Sequence, residues 1–296
     1  MSLPVWPDFE SHTLPDGQKN LTGHAPYAFP GYIADPSVIF LPMHMLTYPG
    51  TDIAPGIARY CMGDGPDEFT KNCQEMGADW HYATKEVRYH CNSDGYRAPE
   101  WNQIDWPNSI VLLGCSMTFG VGVSEDETIS YYLSELTGRP VINLGYPAGS
   151  NELILNNLAA LANRLPMPWA VVVNWSTLDR FTYYNKYFSN IGLWTNEKAE
   201  VNGVNLGKLY KARNYCELNK MMENYYLAKC AQAICQGRTR YHTLSYFAQT
   251  AHYMRTDSYV DISNLKKQER ARDGIHPGPY QNKTAAQSIY DRIVNL

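Results

Sequence analysis

Two segments far apart in the chain carry residue types that can perform nucleophilic chemistry. In Leu113-Gly114-Cys115-Ser116-Met117-Thr118-Phe119-Gly120-Val121-Gly122 a serine lies among glycines. Glycine near a small hydroxyl residue lets the backbone turn sharply and approach a substrate closely. It also leaves amide N–H groups free to face an anion. Such a serine becomes a nucleophile only when a base takes its proton. The second segment, Ala271-Arg272-Asp273-Gly274-Ile275-His276-Pro277-Gly278, supplies that base and its support. Asp273 and His276 can share one side of a turn, the carboxylate holding one ring nitrogen while the other faces outward. Pro277 stiffens the backbone behind the histidine. Taken singly, each segment reads more simply as a Gly-rich turn or a surface loop. Together, Ser116, Asp273 and His276 form a complete acyl-transfer set.

The elements around these segments must hold them together. Ser109-Ile-Val-Leu-Leu113 is a short apolar run ending in glycine, as a buried strand requires; Val141-Ile142 and Ala170-Val-Val-Val173 are two more. Ser124-Glu-Asp-Glu127 reads as a capping box before a helix that carries Ile129, Tyr132, Leu133 and Leu136 and stops at Gly138. Leu153–Leu165 has helical spacing and ends at Pro166 and Pro168, roughly 207–236 is a long helical stretch, and Thr284–Val294 closes the chain. Tyr241–Phe247 and Tyr259–Ile262 read as strands. Apolar strands alternating with amphipathic helices predict a parallel α/β sheet covered on both faces, with ligands beyond the carboxyl ends of its strands. Twelve of the 18 prolines fall before residue 109, so residues 1–105 read as an irregular, Pro-rich, strand-containing arm. Within it Trp80–Tyr89 is a strand candidate, bounded by Gly77 and Asn92-Ser93-Asp94-Gly95. Residues 106–296 form the α/β domain, with a helical and aromatic insertion at about 181–238.

These blocks resemble the SGNH/GDSL hydrolases, an esterase and lipase family. Gly114, Ser116, Thr118, Gly120 and Gly122 are similar to its first block, Gly-Asp-Ser-x-Thr-x-Gly-x-Gly, and Asn143-Leu144-Gly145 to its second. Asp273 and His276 are similar to its closing Asp-x-x-His, and Tyr89–Glu100 to a lead-in segment. The resemblance runs over about 90–296 in the family's order. It implies a flavodoxin-like three-layer α/β/α fold with a mainly parallel five-stranded sheet. It also implies a Ser116-His276-Asp273 triad and an oxyanion hole built from the N–H groups of Ser116 and Gly145. Two positions depart from the pattern. Cys115 stands where the family has Asp. The third block, Gly-x-Asn-Asp, is replaced by Asn174-Trp175-Ser176-Thr177, which puts Ser176 where an Asn amide normally donates. Either Ser176, Asn174 or Asn151 supplies the third donor or the enzyme is slow, because losing one costs about 2.7–4 kcal/mol of transition-state stabilisation. The implied reaction is hydrolysis of a carboxylic ester, either a small acyl ester or an O-acyl group on a carbohydrate.

Other side chains admit plainer readings. Cys115 could serve as a thiol nucleophile, but neighbours on a tight turn point apart, so it reads as a packed thiol. His44, His81, His90 and Cys91 match no common zinc spacing; no metal and no cofactor are expected. Tyr183 and Tyr184, in the aromatic run 181–188, are expected to bind substrate, with core or lid packing as the plainer role. Arg180 and Arg272 read as partners of local carboxylates.

Composition bounds the rest. The chain has 296 residues, 44% hydrophobic and 18% charged, which is globular. A net charge of -4 gives no general footprint for nucleic acid. Mean hydropathy is -0.41, and no run approaches the ~18 apolar residues of a membrane span. The amino terminus lacks a basic and apolar leader, and seven scattered cysteines fit free thiols, so a cytoplasmic setting is expected. The competing reading is a non-enzymatic structural or binding protein, such as a viral particle component, suggested by the altered third block and the long arm.

Overall fold

Short aliphatic runs that end in glycine or asparagine become the central strands. The computed structural model describes residues 39–43, 46–48, 56–61, 63–184 and 188–295. β1 (Leu46–Tyr48), β2 (Gly56–Ala58) and β3 (Tyr89–Cys91) come first, followed by β4 (Ile110–Gly114), β5 (Val141–Gly145) and β6 (Ala170–Asn174). β7 (Phe181–Tyr184), β8 (Phe188–Ile191), β9 (Glu200–Val201) and β10 (Val204–Asn205) make an excursion before β11 (Arg240–Ser245) and β12 (Ser258–Tyr259). The main sheet has the order β12-β11-β6-β4-β5, and every pair in it is parallel.

β4 and β6 are buried at every position, which is why they read as unbroken apolar runs rather than alternating ones. Their side chains still alternate between faces. Ile110, Leu112 and Val172 meet Leu133 of helix Ile129–Thr137 and Ala285, Ile289 and Ile293 of helix Pro279–Ile293. The opposite face is covered by helices Asn151–Arg164, Glu217–Cys235 and Ala248–Met254. The protein is therefore a three-layer α/β/α structure around a parallel five-stranded sheet. Among the described residues no helix is long and apolar enough to cross a membrane.

Three local expectations change. Ser124 and Glu127 do form a capping box, but it closes a 3-10 turn, and Thr128 caps helix Ile129–Thr137 by accepting from Tyr131 N. Trp80–Tyr89 is not a strand: His81–Thr84 makes one helical turn, and only Tyr89–Cys91 pairs, antiparallel with β2. The turn lets Trp80 pack on Phe69 while His81 Nε2 and Tyr82 OH reach the Glu127 carboxylate at 2.5 and 3.2 Å. Tertiary partners override strand propensity there. The stretch 207–236 is two helices, Leu206–Asn214 and Glu217–Cys235. Asn214 ends the first because its amide bonds back to Tyr210 O (3.1 Å) and across to Asp179 O (3.1 Å).

β7 and β8 pair antiparallel, and β1 joins β8 in parallel, forming a second small sheet. Residues 1–38 of the expected arm lie outside the described residues.

Candidate active site

β4 ends at Gly114, and helix Ser116–Phe119 begins two residues later, with only Cys115 between. Gly114 is required there: a Cβ would fall 2.0 Å from Thr118 Oγ1. Both neighbouring strands hold this short helix. Asn174 Nδ2, at the end of β6, donates to Thr118 Oγ1 (3.0 Å), and Asn143 Nδ2, on β5, donates to Thr118 O (2.8 Å). Cys115 turns its thiol into the core with Ile110, Leu112 and Tyr246, leaving Ser116 as the residue presented at the strand end. Ser116 lies where the chain leaves β4 for β5 on one side while β6 flanks it on the other, the switch point at which open α/β sheets place ligands.

The second segment folds as a tight loop before helix Pro279–Ile293. Asp273 Oδ1 accepts from Ile275 N (3.1 Å) and His276 N (3.0 Å), and its Oδ2 meets His276 Nδ1. The other ring nitrogen, His276 Nε2, lies 2.8 Å from Ser116 Oγ. Serine, imidazole and carboxylate thus form one hydrogen-bonded line. Burial pushes the Asp273 carboxyl up, but His276 and the two backbone donors outweigh it and hold it below the usual carboxylate range.

Gly122 joins the two segments. It has φ +76, and its carbonyl accepts from Arg272 N (2.8 Å). Behind the site stand residues whose roles the sequence did not give, although Arg97 lies in the lead-in segment Tyr89–Glu100. Arg97 is buried; its guanidinium donates to the carbonyls of Gly120 (2.9 Å), Val123 (3.1 Å), Arg88 (3.2 Å) and Phe119 (3.3 Å), and to Glu125 Oε2 (2.7 Å). It therefore ties down the loop that follows the Ser116 helix. Asn72 Nδ2 donates to Arg272 O at 3.0 Å. Arg272 pairs with Asp64, as the reading of a carboxylate partner expects.

The expected oxyanion donors are distributed differently. Gly145 N–H is committed to Asn143 Oδ1 (2.9 Å), so it does not face the serine as a free donor. Gly145 is glycine for packing: a Cβ would fall 2.2 Å from Phe119 N. Four residues on, Gly149 N bonds Tyr146 O (2.8 Å) across a turn with Pro147 second and Ala148 third. Ala148 has φ +59, a position that such turns normally give to glycine. Its N–H has no acceptor among the described residues. Pro147 followed by Gly149 was the sequence signal for this turn.

Ser176 is fully buried, and its Oγ accepts from Arg180 Nη1 (3.0 Å), whose guanidinium lies over Trp194 at 4.8 Å. That corrects the carboxylate partner expected for Arg180. Asn151 spends its amide on Ser176 O (3.2 Å) and Asn224 Oδ1 (2.7 Å), and its oxygen accepts from Ser176 N (2.7 Å). Of the three side chains weighed as third donor, Asn174 alone is bonded to the Ser116 helix. Tyr183 and Tyr184 lie on β7 of the second sheet, where Tyr183 packs on Phe181, Ile191 and Leu206 and Tyr184 is 39% exposed.

A cavity of about 340 Å³ opens beyond the carboxyl ends of β6, β11 and β12. Thr177, Tyr246, Phe247, Thr250 and Ile262 are among its walls, and it starts one strand away from β4. Of the histidines and cysteine weighed for zinc, His81 is bonded to Glu127, His90 is exposed, and burial pushes the Cys91 thiol up to about 11. His44 lies outside the described residues.

No protein-family profile and no curated protein matches the chain. Solved structures similar to it include a lipase/acylhydrolase from Enterococcus faecalis, at 12% identity and TM-score 0.37, covering 64% of this chain and 96% of that one. A carbohydrate esterase family 2 enzyme with a carbohydrate binding domain, from Corynascus thermopiles (Myceliophthora fergusii), gives 11% identity and TM-score 0.39 over 64% and 66% of the two chains. A candidate lipolytic protein of the G-D-S-L family from Desulfitobacterium hafniense DCB-2 gives 10% identity and TM-score 0.37 over 62% and 98%.

Proposed function

We propose that the protein is a serine hydrolase of carboxylic esters. The observation that carries this reading is the 2.8 Å separation of Ser116 Oγ from His276 Nε2, with Asp273 on the far ring nitrogen. In the mechanism His276 takes the proton of Ser116, whose oxygen attacks the ester carbonyl. The N–H of Ser116 and the amide of Asn174, which is bonded to the Ser116 helix, are the donors assigned to the oxyanion that develops. Asp273 keeps the proton of neutral His276 on Nδ1 and stabilises the imidazolium. His276 then protonates the departing alcohol. Water, deprotonated by the same ring, releases the acid from Ser116. The substrates that fit this reading are a small acyl ester or an O-acyl group on a carbohydrate.

A fluorophosphonate probe tests the reading. Folded protein labels at Ser116, as located by peptide mass spectrometry, and Ser116→Ala loses both label and ester turnover. Absence of label on folded wild-type protein overturns the hydrolase and favours a binding or structural role.

A further inference from the structure

Asp64 and Arg272 form a buried ion pair, with Arg272 Nε 3.0 Å from Asp64 Oδ1 and Nη2 2.6 Å from Oδ2; the residues are 0% and 4% exposed. Burying two charges is expensive, and apolar replacements of the same volume are often no less stable. Stability therefore does not account for the pair, but its connections do. Tyr89 OH donates to Asp64 Oδ2 and accepts from Gly122 N (2.7 Å). Gly122 O accepts from Arg272 N (2.8 Å), and the Arg272 guanidinium returns to Asp64. The four residues close a ring of hydrogen bonds in which every member is buried. Gly122 belongs to the loop that leaves the Ser116 helix, and Arg272 is the backbone neighbour of Asp273. The Tyr89 ring also stacks on Phe119 of that helix, at 5.8 Å and 21°.

We infer that Asp64 and Tyr89 are positioning residues. They hold Gly122 against Arg272 and so set the distance between Ser116 Oγ and His276 Nε2. The inference rests on the hydrolase reading for its kinetic consequence, but its geometric part has a separate readout.

Tyr89→Phe keeps the ring and removes the hydroxyl that links Asp64 to Gly122. Asp64→Asn leaves a buried guanidinium half compensated and can unfold the chain, so Tyr89→Phe carries the decision. Tyr96→Phe is the control. Its hydroxyl is equally buried, donating to Leu41 O (2.8 Å) and accepting from Asn157 Nδ2 (3.0 Å), and it touches neither loop. The measurements are the rate of fluorophosphonate labelling at Ser116, kcat and KM on an ester, thermal unfolding, and the NMR signal of the His276 ring proton shared with Asp273. Tyr89→Phe should slow labelling and kcat by roughly 10- to 100-fold, the effect of a misplacement approaching 1 Å. KM should hold, and the His276 signal should move. Tyr96→Phe should lower the unfolding temperature without slowing labelling. Wild-type rates with an unmoved His276 signal in Tyr89→Phe, or equal slowing in Tyr96→Phe, overturn the inference. A His276 signal that moves in Tyr89→Phe, with wild-type protein that never labels, upholds the positioning role and sinks the hydrolase reading instead.

Discussion

Gly122→Ala perturbs the junction of the two loops with a single methyl group. At φ +76 an L side chain is strained, by about 1–2 kcal/mol. Reduced freedom of the unfolded chain returns about 0.4–1 kcal/mol of that. The contacts matter more. The new Cβ would lie 2.9 Å from Ala271 Cβ, 2.9 Å from Arg272 N and 3.0 Å from Asp273 N, against ordinary contact from 3.4 Å. Two of these atoms are backbone, so the loop itself must retreat by about half an ångström, carrying Asp273 and His276 with it. If 1 Å costs about 100-fold, half of that costs roughly tenfold in reactivity at Ser116. Net destabilisation of about 1 kcal/mol would lower Tm by only a few degrees in a domain this large. Gly120→Ala is the matched comparison: φ is +81, but its Cβ meets side chains, namely Thr128 Cγ2 at 2.9 Å, Arg97 Nη1 at 3.1 Å and Val123 Cγ2 at 3.1 Å. Labelling rates and melting curves of both variants decide the matter. Gly122→Ala should label about tenfold more slowly than its loss of Tm explains, and Gly120→Ala should not. Wild-type labelling in Gly122→Ala refutes the reasoning, as does the same slowing in both.

Two further outcomes follow from the site. Asn174→Ala should lower kcat by about 10²–10³ as an oxyanion donor is lost, while Ser176→Ala, which removes only an acceptor for Arg180, should turn over near wild type; the reverse order in steady-state kinetics would restore Ser176 as the donor. The carboxyl of Asp273 titrates lower in the folded protein than in the unfolded chain, so the stability it contributes is complete above the ordinary carboxylate range of about 3.9 and is lost as pH falls through its lower folded value. Melting temperature followed from pH 6 downward should therefore drop more steeply in wild type than in Asp273→Asn, and parallel curves would contradict that linkage.

The parts of the site that obey local rules were legible in the sequence. β4 and β6 announce themselves as uninterrupted aliphatic runs because both faces are covered, and Ser116 follows β4 immediately. Asp273 and His276 are three residues apart and need only one turn to meet. What the sequence hid depends on partners distant along the chain. Nothing around Asp64 distinguishes it from a surface residue, and the lead-in segment that holds Tyr89 and Arg97 gives neither a role, until Gly122, Arg272 and the carbonyls of 119–123 are in place. Gly145 and Ala148 show the opposite problem. Glycine at 145 answers a steric demand from Phe119, and the left-handed backbone at 148 belongs to an alanine, which conceals it. Trp80–Tyr89 misled because its large side chains serve two different neighbours instead of one sheet face.

The hydrogen-bonded ring also has a temporal consequence. Asp64 and Arg272 are separated by 208 positions, and Ser116 and His276 by 160. Contacts between such remote points form late, because their chain entropy must be spent before they return anything. During synthesis the sheet strands around Ser116 emerge from the ribosome well before Arg272 does. Ser116 is therefore made well before His276 can reach it, and Asp64 well before Arg272 can neutralise it. A chain that ends before residue 272 lacks both pairs, and with them Ala285, Ile289 and Ile293, the side chains that close one face of the sheet.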